Sequence, residues 1–174
     1  IFQKIKQLLD DGEIGRLIAI QHNENVGFWH QAHSFVRGNW RNSDESCPMI
    51  LAKSCHDMDL LYYLIGAAPV SVASFGSLNY FNEKSAPKGP PDRCTDDCKY
   101  RDNCPYDATK RYLGKNTAWP TDVISIDTSL SARTKALETG PYGRCVHRCD
   151  NNVVDNQVSI ITFANGVNVA FTMC

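Results

Sequence analysis

The sequence predicts an α+β domain in which a mostly antiparallel, open β-sheet is covered on one face by helices. Three observations lead to this fold class. Residues 153–163 and 167–173 alternate as two closing strands joined at Asn165-Gly166, a dipeptide typical of tight β-hairpins. Residues 69–80 alternate as a further strand, and the segment after His56 has the apolar spacing of a helix. Alternation along the last strand predicts that one sheet face is buried and the other is more polar.

The first half of the chain predicts helix, strand, loop and helix in that order. Residues 1–11 have an amphipathic helical pattern, and residues 14–21 are rich in the β-branched and apolar residues of a strand. Residues 22–42 are polar and aromatic, which predicts a long loop. The next helix carries apolar residues at helical spacing, namely Leu60, Leu61, Leu64 and Ile65. Gly66 then ends it.

The second half contains a cysteine-bearing insertion. Residues 82–122 are irregular and rich in proline, apart from a short helical run over 106–113. A helix is predicted over 129–139, before the two closing strands. We therefore expect a single domain over residues 1–174 that carries this insertion.

Composition excludes several classes of function. The chain has 174 residues, 43% of them hydrophobic, and a formal net charge of −1. A nucleic-acid-binding role is not expected, because there is no basic surplus to neutralise phosphates. No apolar run approaches the roughly 18–20 residues that span a bilayer, so a soluble, cytoplasmic protein is expected. The chain begins inside a helical pattern and ends inside a strand pattern, which predicts a domain of a longer protein.

A candidate chemical site lies in the stretch PMILAKSCHDMDLLYYLIG, residues 48–66. His56 falls where the helix should begin, with Asp57 and Asp59 in its first turn, where carboxylates favour the positive end of the dipole. A histidine there, with Lys53 three residues upstream, can exchange a proton with a bound hydroxyl or carbonyl. The alternative is that His56 and Asp59 only cap and orient the helix.

The loop over residues 22–42 is a candidate substrate wall, because pockets combine apolar surface with a few directed polar groups. Its candidate substrate contacts are His30, His33, Arg37 and Trp40. The alternative is a surface loop that buries Trp29 and Trp40 for its own stability.

Five of the eight cysteines fall into two groups, Cys94, Cys98 and Cys104, and then Cys145 and Cys149 with His147 between them. Clustered thiols in a cytosolic chain favour metal ligation over disulfides. Three ligands from the first group and one from the second would complete a tetrahedral zinc site that stabilises a segment poor in apolar residues. An iron–sulfur cluster, disulfides and free buried thiols are the alternatives.

The pattern H-x-x-D-L-L-x-x-L-x-G after an apolar turn resembles the substrate-domain motif of the Gfo/Idh/MocA family of nicotinamide-dependent oxidoreductases. Residues 12–17 (GEIGRL) leading into a strand, residues 23–42 and the closing strand pair are similar to the same family. The resemblance covers nearly the whole chain. It implies an enzyme that transfers a hydride between NAD or NADP and a sugar, polyol or related hydroxy compound, and a homo-oligomer formed through the open sheet face.

The same resemblance implies roles for particular residues. His56 matches the family histidine and becomes the candidate general acid/base, but Ala52 stands where the family has an aspartate four residues earlier. From its position beside Ala52, and not from the resemblance, Lys53 is the candidate group that stabilises a developing alkoxide or binds substrate; the alternative is that its side chain points to the opposite face. Asp59 is the candidate group that orients the histidine or holds the helix turn.

The family's cofactor is bound mainly by a dinucleotide-binding domain, and no G-x-G-x-x-G occurs in this chain. The chain by itself is therefore expected to be inactive. Three alternative functions stay open: binding of a sugar-like ligand without turnover, NAD-assisted glycoside cleavage on the same fold, and a metal-stapled interaction domain.

Overall fold

The computed structural model describes residues 1–174, which form two compact units. The first unit comprises residues 1–26, 49–77 and 154–174, and the second comprises residues 27–48 and 78–153. The predicted insertion over 82–122 lies within the second unit. None of the helices has the length and apolar character needed to cross a membrane.

The first unit contains one four-stranded mixed sheet. Its strands are β1 (Ala19–Glu24), β2 (Pro69–Ser77), β3 (Asn156–Phe163) and β4 (Asn168–Met173), in the order β1-β4-β3-β2. The pairs β2–β3 and β3–β4 are antiparallel, whereas β1 and β4 are parallel. The α+β class and the mostly antiparallel sheet predicted from the sequence are confirmed.

Three helices belong to the same unit: α1 (Phe2–Asp10), α3 (Met49–Ala52) and α4 (Cys55–Ile65). Leu61 and Ile65 of α4 are buried, as the helical spacing predicts. Gly66 ends α4 in the left-handed conformation, with φ of 68°, and its N–H donates to the Tyr62 carbonyl at 2.9 Å. Glycine has no Cβ to oppose this conformation, so the helix ends where the sequence predicts.

The two faces of the sheet differ in burial. On the inner face Val169, Phe171 and Met173 of β4 are fully buried. On the outer face Phe75 of β2 is 79% exposed and Ile160 of β3 is 49% exposed. The period-2 alternation of the strands therefore gives one core face and one open face that still carries large apolar side chains.

The second unit is built from short helices and turns. Its helical segments are α2 (Phe28–His30), a π-helix (Gln31–Arg37), α5 (Ala108–Tyr112) and α6 (Leu130–Thr139), with 3₁₀ turns at Glu83–Ser85, Arg101–Asn103, Thr121–Val123 and Pro141–Gly143. Arg133 of α6 is 5% exposed and donates to the carbonyls of Tyr112, Gly114 and Thr128 at 2.5–3.0 Å. This buried guanidinium holds α5 and α6 together through backbone groups that would otherwise be unsatisfied.

Two sequence predictions for the first half are corrected. The first strand runs over Ala19–Glu24 instead of residues 14–21, because Gly12 and Gly15 turn the chain at φ of 73° and 74° and the pairing with β4 starts at Ala19. The predicted loop over 22–42 contains the end of β1 and ten helical residues, 28–37. Polar residues of that segment are buried in the second unit, and such tertiary contacts leave no amphipathic pattern in the sequence.

Candidate functional site

A cluster of charged side chains lies in the first unit, where the end of β1 meets the beginning of α4. It consists of His22, Glu24, Lys53, His56 and Asp57. His22 and Glu24 lie two residues apart on β1, so both side chains point to the inner face of the sheet. There the His22 ring stacks on Phe171, with 5.8 Å between ring centroids. The helix supplies the other three residues from its first turn and the turn before it.

Asp57 is the buried centre of this cluster. Its residue is 2% exposed, and its Oδ1 lies 2.7 Å from His22 Nε2 in a hydrogen bond. Its Oδ2 lies 3.3 Å from His56 Nε2 but makes no hydrogen bond with favourable geometry. A buried carboxylate oxygen without a hydrogen bond is costly, so Asp57 Oδ2 is available to accept one from a bound donor.

Glu24 is the second carboxylate beside His56. One of its oxygens lies 2.5 Å from Lys53 Nζ, and the other lies 3.8 Å from His56 Nε2. The side chain of His56 is 52% exposed, whereas those of Lys53 and Glu24 are 16% and 21% exposed. The imidazole is therefore open to a ligand while its Nε2 faces two anions. Such a histidine can take a proton from a hydroxyl and keep it close to compensating charge.

The ligand atoms of Glu24, His56 and Asp57 also lie within 4.8 Å of one another, a spacing at which a metal ion could bind. Two contacts oppose this use. Lys53 already places a positive charge against Glu24, and Asp57 already shares one oxygen with His22. A divalent cation would have to displace both partners, so the arrangement favours proton transfer over metal binding.

The structure brings together the two residues predicted as catalytic, Lys53 and His56. Asp59 lies on the exposed side of α4 and makes no hydrogen bond or ion pair, so Asp57 is the carboxylate beside the histidine. Two helical residues correspond to a rotation of about 200°, which places positions 57 and 59 on opposite sides of the helix. The structure therefore does not bring Asp59 to His56, and the alternative role of Asp59 in holding the helix turn stays a prediction.

Sequence reasoning missed two members of the cluster, His22 and Glu24. It placed His22 in a loop and ended the strand before Glu24. The sequence carries no alternating signal there, because His22, Asn23 and Glu24 are all polar, whereas the structure shows them as the end of β1. Only the pairing of Glu24 with Met173 shows that the strand continues this far.

The second unit buries two residues predicted as substrate contacts. His33 is 3% exposed, its Nδ1 lies 2.8 Å from the Tyr112 hydroxyl, and its ring stacks on Tyr142 at 4.9 Å. Burial, assisted by the positive charges of His30, Arg37 and Arg111, lowers the pKa of His33 to about 4. His33 is therefore a neutral core residue and is not available to a small molecule.

Arg37 is also enclosed by the second unit. It is 2% exposed and donates to the carbonyls of Arg144 and Tyr106 at 2.7 and 2.8 Å, so the prediction of a substrate contact is corrected here as well. Trp40 is 46% exposed, and His30 is partly exposed against Trp29 and Trp119. These two residues stay candidates for ligand contact.

The structure separates the five clustered cysteines into two sets. Cys94, Cys98, Cys104 and Cys145 line one cavity of the second unit, whereas Cys149 lines a different one. All eight cysteines are free, and no pair forms a disulfide.

Comparison with known proteins identifies the relatives of this chain. Residues 6–174 match the sequence profile of the oxidoreductase family C-terminal alpha/beta domain, named for Gfo, Idh and MocA. YteT of Bacillus subtilis (strain 168), whose name assigns it to the oxidoreductases, is 32% identical over 107 residues, which are 60% of this chain and 25% of that protein. The chain therefore spans about a quarter of the curated relative.

Among solved structures, the super-repressor mutant of Gal80p from Saccharomyces cerevisiae is similar in fold, with a TM-score of 0.52 and 13% identity over 99% of this chain and 31% of that one. A myo-inositol 2-dehydrogenase from Lactobacillus plantarum has a TM-score of 0.49 and 12% identity, over 98% of this chain and 31% of that chain.

Proposed function

We propose, from the premise that this chain belongs to the Gfo/Idh/MocA oxidoreductase family as its C-terminal alpha/beta domain, that it is the substrate-binding and catalytic domain of an NAD(P)-dependent enzyme. The substrate is a sugar, a polyol or a related hydroxy compound, and the reaction is hydride transfer between its carbinol carbon and the nicotinamide. The observation that supports this most is the half-exposed His56 beside two carboxylates and a lysine.

His56 acts as the general acid/base. In the oxidative direction its Nε2 takes the proton of the substrate hydroxyl as the carbon loses its hydride, and a carbonyl forms. Glu24 and Asp57 lie 3.8 and 3.3 Å from that nitrogen, so the imidazolium is stabilised as it forms. The bond from His22 to Asp57 holds the buried carboxylate in place. General acid/base catalysis of this kind contributes a factor of about 10²–10⁴.

Glu24 offers a carboxylate where the helix lacks one. The family aspartate is replaced by Ala52, but Glu24 reaches the same histidine from β1 and is joined to Lys53 at 2.5 Å. We propose that this ion pair orients the substrate hydroxyl, with the Lys53 ammonium stabilising the developing alkoxide. In this proposal the ion pair of Glu24 and Lys53 performs the role of the aspartate that Ala52 replaces.

A bound nicotinamide would supply the hydride acceptor or donor. This chain contains no glycine-rich phosphate-binding turn, so we propose that another domain of the protein holds the dinucleotide. The residues of the cluster fit the substrate side of that reaction, since they supply a proton acceptor and charge for a hydroxyl but no cradle for a pyrophosphate.

The test uses the full-length protein and the variant His56→Gln, with Cys55→Ser as the matched control. Cys55 is exposed and lies in the same first turn, and its thiol makes no hydrogen bond to the cluster. Oxidation of a panel of polyols and sugars is followed by reduced-nicotinamide absorbance, and cofactor affinity is measured by fluorescence titration. We expect His56→Gln to lower kcat at least 100-fold with the cofactor Kd unchanged. Cys55→Ser should retain the activity. Equal kcat for His56→Gln and Cys55→Ser would remove His56 from the mechanism.

A second candidate function is ligand binding without turnover, and Ala52 is the specific observation that favours it. In that case polyols raise the melting temperature of the full-length protein but produce no reduced nicotinamide. The variant Ala52→Asp restores the carboxylate at this position. A gain of turnover in this variant indicates that Glu24 does not replace the missing aspartate, whereas unchanged turnover in an active enzyme indicates that Glu24 does replace it.

We also propose that the protein forms a homo-oligomer through the outer face of the sheet. Phe75, Val158 and Ile160 are 79%, 48% and 49% exposed on this face. Phe75 and Val158 are register partners on β2 and β3, so they form one continuous apolar area. A second copy of this chain would cover that area with the same residues.

A further inference from the structure

The four cysteines that line one cavity of the second unit are held there by local backbone structure. Arg93 and Arg144 form an antiparallel bridge, Cys94 N–H donates to Gly143 O at 2.8 Å, and Cys145 N–H donates to Asp92 O at 2.8 Å. Cys94 and Cys145 are therefore diagonal neighbours that flank this bridge on the same face. Such positions are about 7–8 Å apart between Cα atoms.

The other two cysteines bracket the 3₁₀ turn Arg101–Asn103. Arg101 N–H donates to Cys98 O at 3.1 Å, and Cys104 N–H donates to Arg101 O at 3.3 Å. The side chain of Arg101 returns to the first pair, because its Nη2 donates to Cys94 O at 2.9 Å. The turn and the bridge together place four cysteines in the lining of one cavity of about 360 Å³.

The buried charge of Arg37 is a second, independent observation at the same place. Its guanidinium is 2% exposed, forms no ion pair with a carboxylate, and lies with Nη2 3.5 Å from Cys94 Sγ. Its other bonds go to the neutral carbonyls of Arg144 and Tyr106. A fully buried cation without an anion costs several kcal/mol. Thiolates at the adjacent sulfur positions would provide the missing negative charge.

Backbone N–H groups also point to two of the sulfurs. The N–H of Ala108 and the guanidinium of Arg37 both face the Cys94 sulfur. The N–H of His147 faces the Cys145 sulfur. Donors placed on buried sulfurs are the outer contacts that metal-bound thiolates use.

We infer that Cys94, Cys98, Cys104 and Cys145 bind a metal centre through four thiolates, either one zinc ion or an iron–sulfur cluster. Cys149, a candidate ligand from the sequence, is not part of it. Its Sγ donates to the Cys145 carbonyl at 3.3 Å and lines the neighbouring cavity. This inference concerns the second unit and does not depend on the function proposed for His56.

The spacing of the sulfurs bears on the two kinds of centre. A zinc ion with bonds of about 2.3 Å requires all four sulfurs to lie within about 4 Å of one another. No three of these sulfurs lie mutually within 4.8 Å. Binding of zinc would therefore require the turn and the bridge to move closer together, whereas an iron–sulfur cluster holds its cysteines farther apart.

The role of the centre is to stabilise the fold. The segment from residue 82 to residue 107 contains few apolar residues and no element longer than one turn, so a core cannot hold it alone. A tetrathiolate centre would join residues 94, 98 and 104 to residue 145 and would neutralise Arg37 at the same time. The charge on such a centre is negative whichever metal is bound.

The test measures zinc, iron and acid-labile sulfide in the protein purified without oxygen, together with its absorption spectrum. One zinc per chain, or iron and sulfide in equal amounts with visible absorption, is the expected result. Cobalt added to metal-free protein gives a second measurement on the unmodified chain, because thiolate-bound cobalt absorbs through charge transfer. Absence of any bound metal, also after incubation with zinc or with iron and sulfide, would overturn the inference.

Three variants locate the ligands. Cys98→Ser and Cys145→Ser should each lower the metal content at least tenfold, whereas Cys149→Ser should retain it. Cys55→Ser, an exposed cysteine of the first unit, is the neutral control. Metal retained in both Cys98→Ser and Cys145→Ser, or lost only in Cys149→Ser, would contradict the ligand set. A disulfide among the four residues found by mass spectrometry of the anaerobic protein would contradict it as well.

Discussion

Lowering the pH from 7 to 5 should destabilise the second unit through a single residue, His33. Its pKa is about 4 in the folded protein, because it is buried, against an ordinary value of 6.5 when unfolded. Between these two values the unfolded chain binds more protons than the folded one, so stability falls as the pH falls. The linkage relation gives a loss of about 2 kcal/mol at pH 5 and little at pH 7.

The assay is urea unfolding followed by tryptophan fluorescence at both pH values. The three tryptophans, Trp29, Trp40 and Trp119, all belong to the second unit, so the signal reports that unit alone. A hydrogen bond from Arg41 lowers the pKa of Asp150 to about 2. Asp150 therefore loses its contribution to folding stability only as the pH falls from about 4 towards 2. It therefore does not interfere between pH 7 and pH 5.

Two variants separate titration of His33 from its packing. His33→Gln removes the titrating ring and should abolish most of the difference between pH 7 and pH 5, whatever its stability at pH 7. Tyr112→Phe removes the hydrogen bond at 2.8 Å and should cost about 1–3 kcal/mol at both pH values, with the difference retained because burial is the main cause of the low pKa. An equal pH dependence in the parent protein and in His33→Gln would refute the reasoning.

Three further outcomes are expected. Phe171→Ala, in the core of the first unit at 0% exposure, should lower the free energy of unfolding by about 3–5 kcal/mol in a denaturant titration followed by circular dichroism. Gly66→Ala should cost about 1–2 kcal/mol in the same assay, because φ of 68° opposes a Cβ even though nothing lies within 4 Å of it; no loss would contradict that account. Phe75→Asp should dissociate the proposed homo-oligomer in sedimentation velocity, and an unchanged oligomer would place the interface elsewhere.

The elements that the sequence predicted correctly are those with a strong local signal. The α4 helix begins and ends as predicted, because its apolar spacing and Gly66 are contained in a dozen residues. The closing hairpin follows from Asn165-Gly166 and the alternation on either side, and Asn165 Oδ1 accepts from Val167 N–H within that turn. Signals of this kind depend on neighbours in the chain, so they survive without tertiary information.

The sequence predicted only the part of the candidate site whose residues are neighbours in the chain. Lys53 and His56 belong to the same local motif and are recognised together. Glu24 joins them from β1, about thirty residues earlier, and it does so because β1 pairs in parallel with β4. No local sequence pattern indicates the order in which the strands pair in the sheet. The contact between Glu24 and Lys53 depends on that order.

The sequence by itself determined the fold class, the family and the presence of a histidine at the beginning of α4. The tertiary structure decided which polar residues are buried and which are accessible. It enclosed His33 and Arg37 in the second unit, turned Asp59 to solvent, and selected four of five clustered cysteines for one cavity. The physical reason is that periodicity and turn residues act over a few positions, whereas burial and charge pairing depend on contacts between segments distant in the chain.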